Sequence, residues 1–253
     1  MNKPRILFWH RKDLRIFDNQ ALIKAFSLSN AITSTYIFDT NYSHDFNASS
    51  RAWFLGNSLQ ELGNNWKKMG SRLVMEEGDP VLIIPQLANT IDAKFVFWNR
   101  SIEPYEINRD LQIIKNLKEQ NIQVIETWDH LLVEPLKIFS GNNKPYSVYG
   151  PFYKNLKSKM NLLGSYNQDK VIFQFKDIDN KLKETKQINS SDSVLKKFLK
   201  NIKFTGWNIC PCRPGENAAE TLLENFINEK KIYSYNSARD LPSHNGTSFL
   251  SAS

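Results

Sequence analysis

Five short, wholly apolar runs punctuate the first 130 residues: Ile6–Trp9, Tyr36–Phe38, Leu73–Met75, Phe95–Trp98 and Val124–Ile125. None alternates with polar residues, so each reads as a strand buried on both faces. Helix-spaced stripes lie between them: Phe54, Leu55, Leu59, Leu62, Trp66 and Met69, then Val81, Ile84, Leu87 and Ile91, then Ile107, Leu111, Ile114 and Leu117. Asp18-Asn19 signals a further helix start, and Asp79-Pro80 is a cap followed by proline in the first turn. Strands that alternate with helices predict an α/β fold: a five-stranded parallel, Rossmann-like sheet with helices on both faces. Such sheets hold ligands at the carboxyl ends of their strands, which singles out the loops after Trp9, Phe38 and Trp98.

The phosphate-binding signatures usual for such sheets are missing. No Gly-x-Gly-x-x-Gly follows the first strand and no Walker-type Gly-x-x-x-x-Gly-Lys occurs, which argues against an ordinary adenine-nucleotide-binding α/β protein. Cys210 and Cys212 cannot supply four zinc ligands and read as reduced thiols. No apolar run approaches the roughly 18 residues of a membrane helix, and no signal peptide is evident, so no membrane partner and a cytoplasmic location are expected.

Residues 1–135 form the expected α/β domain. Residues 136–213 are expected to be an interdomain linker, polar and Lys/Asn/Ser-rich over 165–213, and exposed. Residues 214–253 carry Ala219, Leu222, Leu223 and Phe226 at one-face helix spacing, and are expected to be the first helices of an incomplete all-α domain. The charge of +7 sits mostly after residue 150, where the balance is +6 against +1 before it. Two readings are open: an anionic partner such as nucleic acid, or a solvated lysine-rich surface. The same choice applies to Lys154, Lys157 and Lys159.

Several segments, in order, carry a resemblance. His10-Arg11-Lys12-Asp13-Leu14-Arg15-Ile16-Phe17-Asp18-Asn19, Asn99–Glu106 with Arg109-Asp110, Tyr146–Phe152, Pro214-Gly215-Glu216, Arg239–Pro242 and Gly246–Ser251 together resemble the DNA photolyase/cryptochrome family, most closely cyanobacterial-type deazaflavin-antenna enzymes for cyclobutane pyrimidine dimers. The resemblance implies light-driven repair of damaged DNA. A reduced FAD supplies the electron, and an antenna pigment, a deazaflavin or a folate, feeds it with excitation. It implies FAD contacts at Tyr235, Thr247, Ser248, Phe249, Leu250 and Ser251, with Tyr233 as the alternative if the register slips. For the antenna it implies Asp13, Asp39, Arg51, Glu103 and Glu106.

Each has a plainer reading. Asp13, with Arg11, Arg15 and Asp18, also suits a capped helix start with exposed ion pairs. Glu103 and Glu106 suit a helix dipole. Gly246 and the hydroxyls after it suit a phosphate cradle through an unusual turn, or a capping box. By resemblance the sequence ends inside the motif that opens the flavin domain. The expectation is that this chain alone binds FAD weakly or not at all and repairs no dimers; it reads as a fragment of a longer enzyme, as the N-terminal half of a split one whose C-terminal half is a separate chain, or as a decaying gene product. A cryptochrome-like photosensor from the same family is the alternative.

Overall fold

The computed structural model describes residues 3–41, 49–134, 137–160, 173–175, 186–202, 213–241, 243–244, 246–248 and 250. Cys210, Cys212, Phe249 and Ser251 lie outside them.

The expected sheet is present. Strands β1 (Ile6–His10), β2 (Ile32–Asp39), β3 (Leu73–Gly78), β4 (Phe95–Asn99) and β5 (Gln123–Thr127) are all parallel, in the order β3-β2-β1-β4-β5. Helices α1 (Gln20–Leu28), α2 (Ser49–Lys68), α3 (Pro80–Thr90) and α4 (Pro104–Glu119) connect them. Alternation within a strand sends successive side chains to opposite faces. Ile6 and Phe8 of β1 therefore pack with Leu22, Leu59 and Trp66 on the α1/α2 side. Leu7 and Trp9 pack with Ile84, Leu87, Ile113 and Leu117 on the α3/α4 side. Each of these fully buried large side chains stabilises the fold by about 1.5–3 kcal/mol. The caps match the reading: Asn19 accepts from the Leu22 N–H, and Asp79 from the Val81 N–H with Pro80 at the first turn.

Strand β2 begins four residues before its apolar run. Ser34 and Thr35 are buried nonetheless, because their hydroxyls donate to the carbonyls of Arg72 and Val74 on and beside β3. A satisfied hydroxyl can lie in a core without a desolvation cost that unfolds it.

Part of the expected exposed linker belongs to the sheet body, a correction to the sequence reading. Phe173 and Phe175 are buried on the α1/α2 face. Phe175 stacks on Trp66 at 4.5 Å, and its N–H donates to the Met69 carbonyl. After α5 (Tyr149–Met160), helix α6 (Lys186–Asn201) packs on the same side, with Leu195 buried and Phe198 4.6 Å from Phe38. A Lys197–Glu77 ion pair joins it to β3.

Helices α7 (Glu216–Asn228) and α8 (Lys231–Ala238) follow. The Glu216 carboxylate accepts the N–H groups of Ile16 and Phe17, and the Asn217 N–H donates to Glu61 on α2. The start of α7 is thus fastened to the β1–α1 loop and to α2. No residue of α7 or α8 is buried, and Leu223, Ile227 and Ile232 are exposed.

Candidate functional site

Strand order puts the ends of β2, β1 and β4 side by side, with the switch point between β1 and β4. The residues that leave these ends build one polar network in two tiers.

The lower tier is centred on Asn99, the last residue of β4. Its side-chain amide donates to Asp13 at 2.6 Å and to Asn19 at 2.9 Å. Its carbonyl oxygen accepts from the Thr127 hydroxyl at 2.6 Å and the Ala21 N–H at 3.2 Å. Asp13 also accepts from the Arg11 N–H and from Asn19. Burial pushes the Asp13 carboxyl up, but neighbouring His10, the Arg11 N–H, the Asn99 amide and the Arg11 charge outweigh it and its pKa is lowered. His10 is fully buried below. Its Nδ1 lies 3.0 Å from the Asp13 carbonyl, and its Nε2 accepts from the Trp66 indole at 2.9 Å. Those partners fix the neutral tautomer with the proton on Nδ1. Burial lowers its pKa, against the pull of Asp13.

The upper tier carries the charges. Asp110 bridges two guanidiniums, accepting from Arg11 at 2.6 Å and from Arg109 at 3.0 Å. Arg109 also pairs with Asp39 at 3.2 Å, and the Tyr105 hydroxyl donates to Asp39 at 3.2 Å. Both guanidiniums lie within cation–π reach of Trp9, at 5.2 and 4.7 Å from its ring centre. Lys12 pairs with Glu106 at 3.4 Å. Burial raises the Glu106 carboxyl, but Ser101, Lys12, Arg11 and Arg109 outweigh it and hold the pKa below its usual value. Burial, then the charge of Asp39, pushes the Tyr105 hydroxyl up to about 12, so it remains a neutral donor.

The expected antenna residues therefore separate. Asp39 and Glu106 lie in the upper tier. Asp13 is buried, and its oxygens are taken up by Arg11, Asn19 and Asn99 rather than by exposed ion pairs. It holds Asn99 and the β1–α1 loop in place. Glu103 is exposed at the N-cap of α4; its side chain makes no cap hydrogen bond, and its position still suits the helix dipole. Arg51 is exposed on the first turn of α2. Asn99, Tyr105, Arg109 and Asp110 were not singled out as site residues from sequence. Their position at the ends of β4 and the start of α4 is the signal that marks them. Among the described residues no group of His, Cys, Asp or Glu is arranged to hold a metal ion.

The expected flavin contacts form a separate surface on α8 and beyond. Tyr235 is partly exposed, edge-on to Phe226 at 6.0 Å, with Arg239 5.8 Å from its ring centre. Tyr233 is 86% exposed, and among the described residues Tyr235 is the one held between an aromatic and a guanidinium. Thr247 and Ser248 are half-buried, and the Ser248 hydroxyl accepts from the Leu250 N–H. Gly246 does not supply a left-handed turn. It permits close approach, since a Cβ there would meet Ala238 at 2.5 Å. These residues fit a flavin phosphate and ring as one wall: two hydroxyls, a glycine approach and an oriented aromatic.

The family model described as DNA photolyase matches residues 6–171. The chain is 36% identical, over 97% of its length, to the deoxyribodipyrimidine photo-lyase of Synechococcus sp. PCC 6301, of which it covers 50%. It is 31% identical, over 99% of its length, to an uncharacterized 31.6 kDa protein of Synechococcus sp. PCC 6716, of which it covers 84%. Among solved structures, the class III photolyase of Agrobacterium tumefaciens superposes with a TM-score of 0.72 at 25% identity, covering 99% of this chain and 50% of that one. The chain thus spans about half the length of the photolyases it matches. Its parallel sheet, its charged crown at the β1–β4 switch point and the match over residues 6–171 agree: this chain belongs to the DNA photolyase family.

Proposed function

We propose that this chain supplies the light-harvesting domain of a photolyase and the opening wall of its flavin site, in the service of light-driven repair of pyrimidine dimers in DNA. The observation that carries the reading is the convergence of polar side chains from three strand ends at the switch point, in a chain of this family. Ligands of open α/β sheets bind there.

The crown has a floor and a rim. Asp39, Arg109, Asp110 and Arg11 satisfy one another and form a rigid, electrically compensated floor. Lys12, half exposed, and the carboxylate of Glu103 stand at the rim. A donor, an acceptor and the neutral Tyr105 hydroxyl suit the hydrogen-bonding edge of a deazaflavin or a folate. When bound, such a pigment absorbs light and passes the excitation to the flavin. The residues here bind and orient it, and the paired charges beneath keep that geometry from relaxing. Asp39, Glu103, Glu106 and Arg51 are the antenna contacts in this reading. Tyr235, Thr247, Ser248, Phe249, Leu250 and Ser251 are the flavin contacts. With α7 and α8 uncovered on their apolar side, FAD is held weakly by this chain.

The test is titration of the purified chain with a deazaflavin and, separately, a folate, followed by absorbance and fluorescence polarisation. Binding of one pigment, weakened by Glu103→Gln and Lys12→Ala, supports the reading. Binding of neither refutes it. Full flavin occupancy with dimer repair by this chain under blue light would overturn the claim of weak FAD binding.

A further inference from the structure

Helix α5 presents two different faces. Inward, Leu156 is buried, half-buried Phe152 lies against Tyr146 and Tyr149, and the Asn155 amide ties the helix down by donating to the Phe139 carbonyl and the Tyr146 hydroxyl. Outward, Tyr149 and Tyr153, one turn apart, stack on each other at 5.8 Å with their planes 21° apart. They are 73% and 47% exposed, so burial against the core does not explain the stack. Lys157, one turn on from Tyr153, is exposed on the same face of the helix, Lys154 is exposed on its flank, and Lys144 is exposed in the preceding turn. Residues 137–160 contain five lysines and no acidic residue. Lys137 pairs with Glu134 just before this segment, which leaves Lys144, Lys154 and Lys157 as the exposed cations near the rings. Exposed rings near such cations match the chemistry of an unpaired nucleic-acid strand, whose bases offer faces for stacking and whose phosphates need cations.

We propose that the outward face of α5 is a docking site for an unpaired strand of DNA, with Tyr149 and Tyr153 as the stacking platform and Lys154 and Lys157 on the flanking phosphates. This rests on the reading of DNA as the partner, and it locates a contact surface away from both the crown and the flavin wall. A paired strand hides its base faces within the duplex, so the platform favours single-stranded or locally opened DNA.

The experiment is fluorescence anisotropy of the full chain with an undamaged, labelled oligothymidylate and with the matching duplex, over a range of salt. Tyr149→Ala with Tyr153→Ala is expected to weaken single-strand binding by roughly tenfold or more. Lys154→Gln with Lys157→Gln is expected to flatten the plot of log affinity against log salt by about 1.4, at about 0.7 per phosphate contact. Lys118→Gln on α4 leaves both unchanged. The lysine variants are fully surface substitutions, so they carry the test even if the tyrosine pair unfolds. Absence of strand binding by the parent chain, or variants that bind like it, overturns the proposal. Equal affinity for duplex and single strand, indifferent to the tyrosines, overturns the stacking platform. Because the probe carries no lesion and needs no pigment, a failed pigment titration or repair assay leaves this result standing, and the reverse holds.

Discussion

Replacing Asn99 tests whether the crown stands on its lower tier. The side chain is 1% exposed and makes four hydrogen bonds, to Asp13, Asn19, Ala21 and Thr127. In Asn99→Ala the buried Asp13 carboxylate loses its 2.6 Å donor, a charge-assisted bond worth about 1.5–3 kcal/mol. The Ala21 N–H, in the first turn of α1, loses its acceptor at a cost of about 1–3 kcal/mol. Thr127 can turn its hydroxyl to solvent. The expected loss is about 3–5 kcal/mol, a large share of a total of roughly 5–15 kcal/mol. Asn99→Asp sharpens the test, because it keeps the shape and turns the donor into an oxygen facing Asp13. Two carboxylates that close cannot both ionise, so one takes a proton and its folded pKa lies above the unfolded one. Between those two values the folded state holds the extra proton, so acidification stabilises Asn99→Asp relative to the parent. Urea unfolding followed by tryptophan fluorescence, at about pH 8 and about pH 5, reads both effects. A loss below about 1 kcal/mol for Asn99→Ala, or an Asn99→Asp deficit that does not shrink in acid, would refute the reasoning.

Other consequences follow from the same contacts. His10 has a lowered pKa in the fold, so between that value and 6.5 the unfolded chain holds a proton the folded one lacks. Stability is full above this window and falls on acidification through it, at no more than about 1.4 kcal/mol per pH unit for one proton, and His10→Gln should remove that limb from the urea midpoints. Gly70 has φ +86 and a Cβ there would lie 2.7 Å from the Phe175 carbonyl oxygen. Gly70→Ala should cost more than about 1 kcal/mol and loosen Phe175 from Trp66, seen as a changed Trp66 emission before global unfolding. Removing the Asp39 charge, as in Asp39→Asn, should bring Tyr105 down from about 12 toward its model-compound value of 10.0, which an ultraviolet titration of tyrosinate resolves. A Tyr105 titration unchanged in that variant would contradict the pairing.

The β1 strand shows why so much was readable. Ile6, Leu7, Phe8 and Trp9 are apolar without alternation because both faces of a parallel sheet are covered, and that pattern is a local property of the sequence. Caps are local too: Asn19 and Asp79 bind N–H groups only two or three residues away. The burial of Asp13 is not legible for the opposite reason. A charged residue after a strand looks exposed, and nothing nearby in sequence reveals that Asn99, 86 positions on, donates to it. Phe173, Phe175 and Leu195 read as linker because lysines dominate the composition around them, whereas their burial comes from α1, α2 and the sheet.

Over the first 130 residues, sequence alone set the element types, their order and the strand-end loops in which a ligand site is expected, since helix and strand periodicity act over a few residues. Which charges meet was decided by the tertiary structure. Arg109 reaches Asp39 across 70 positions and Arg11 reaches Asp110 across 99, because strand order brings the ends of β2, β1 and β4 together. Ion pairing depends on distances in space, and strand adjacency creates those distances only once the sheet has formed.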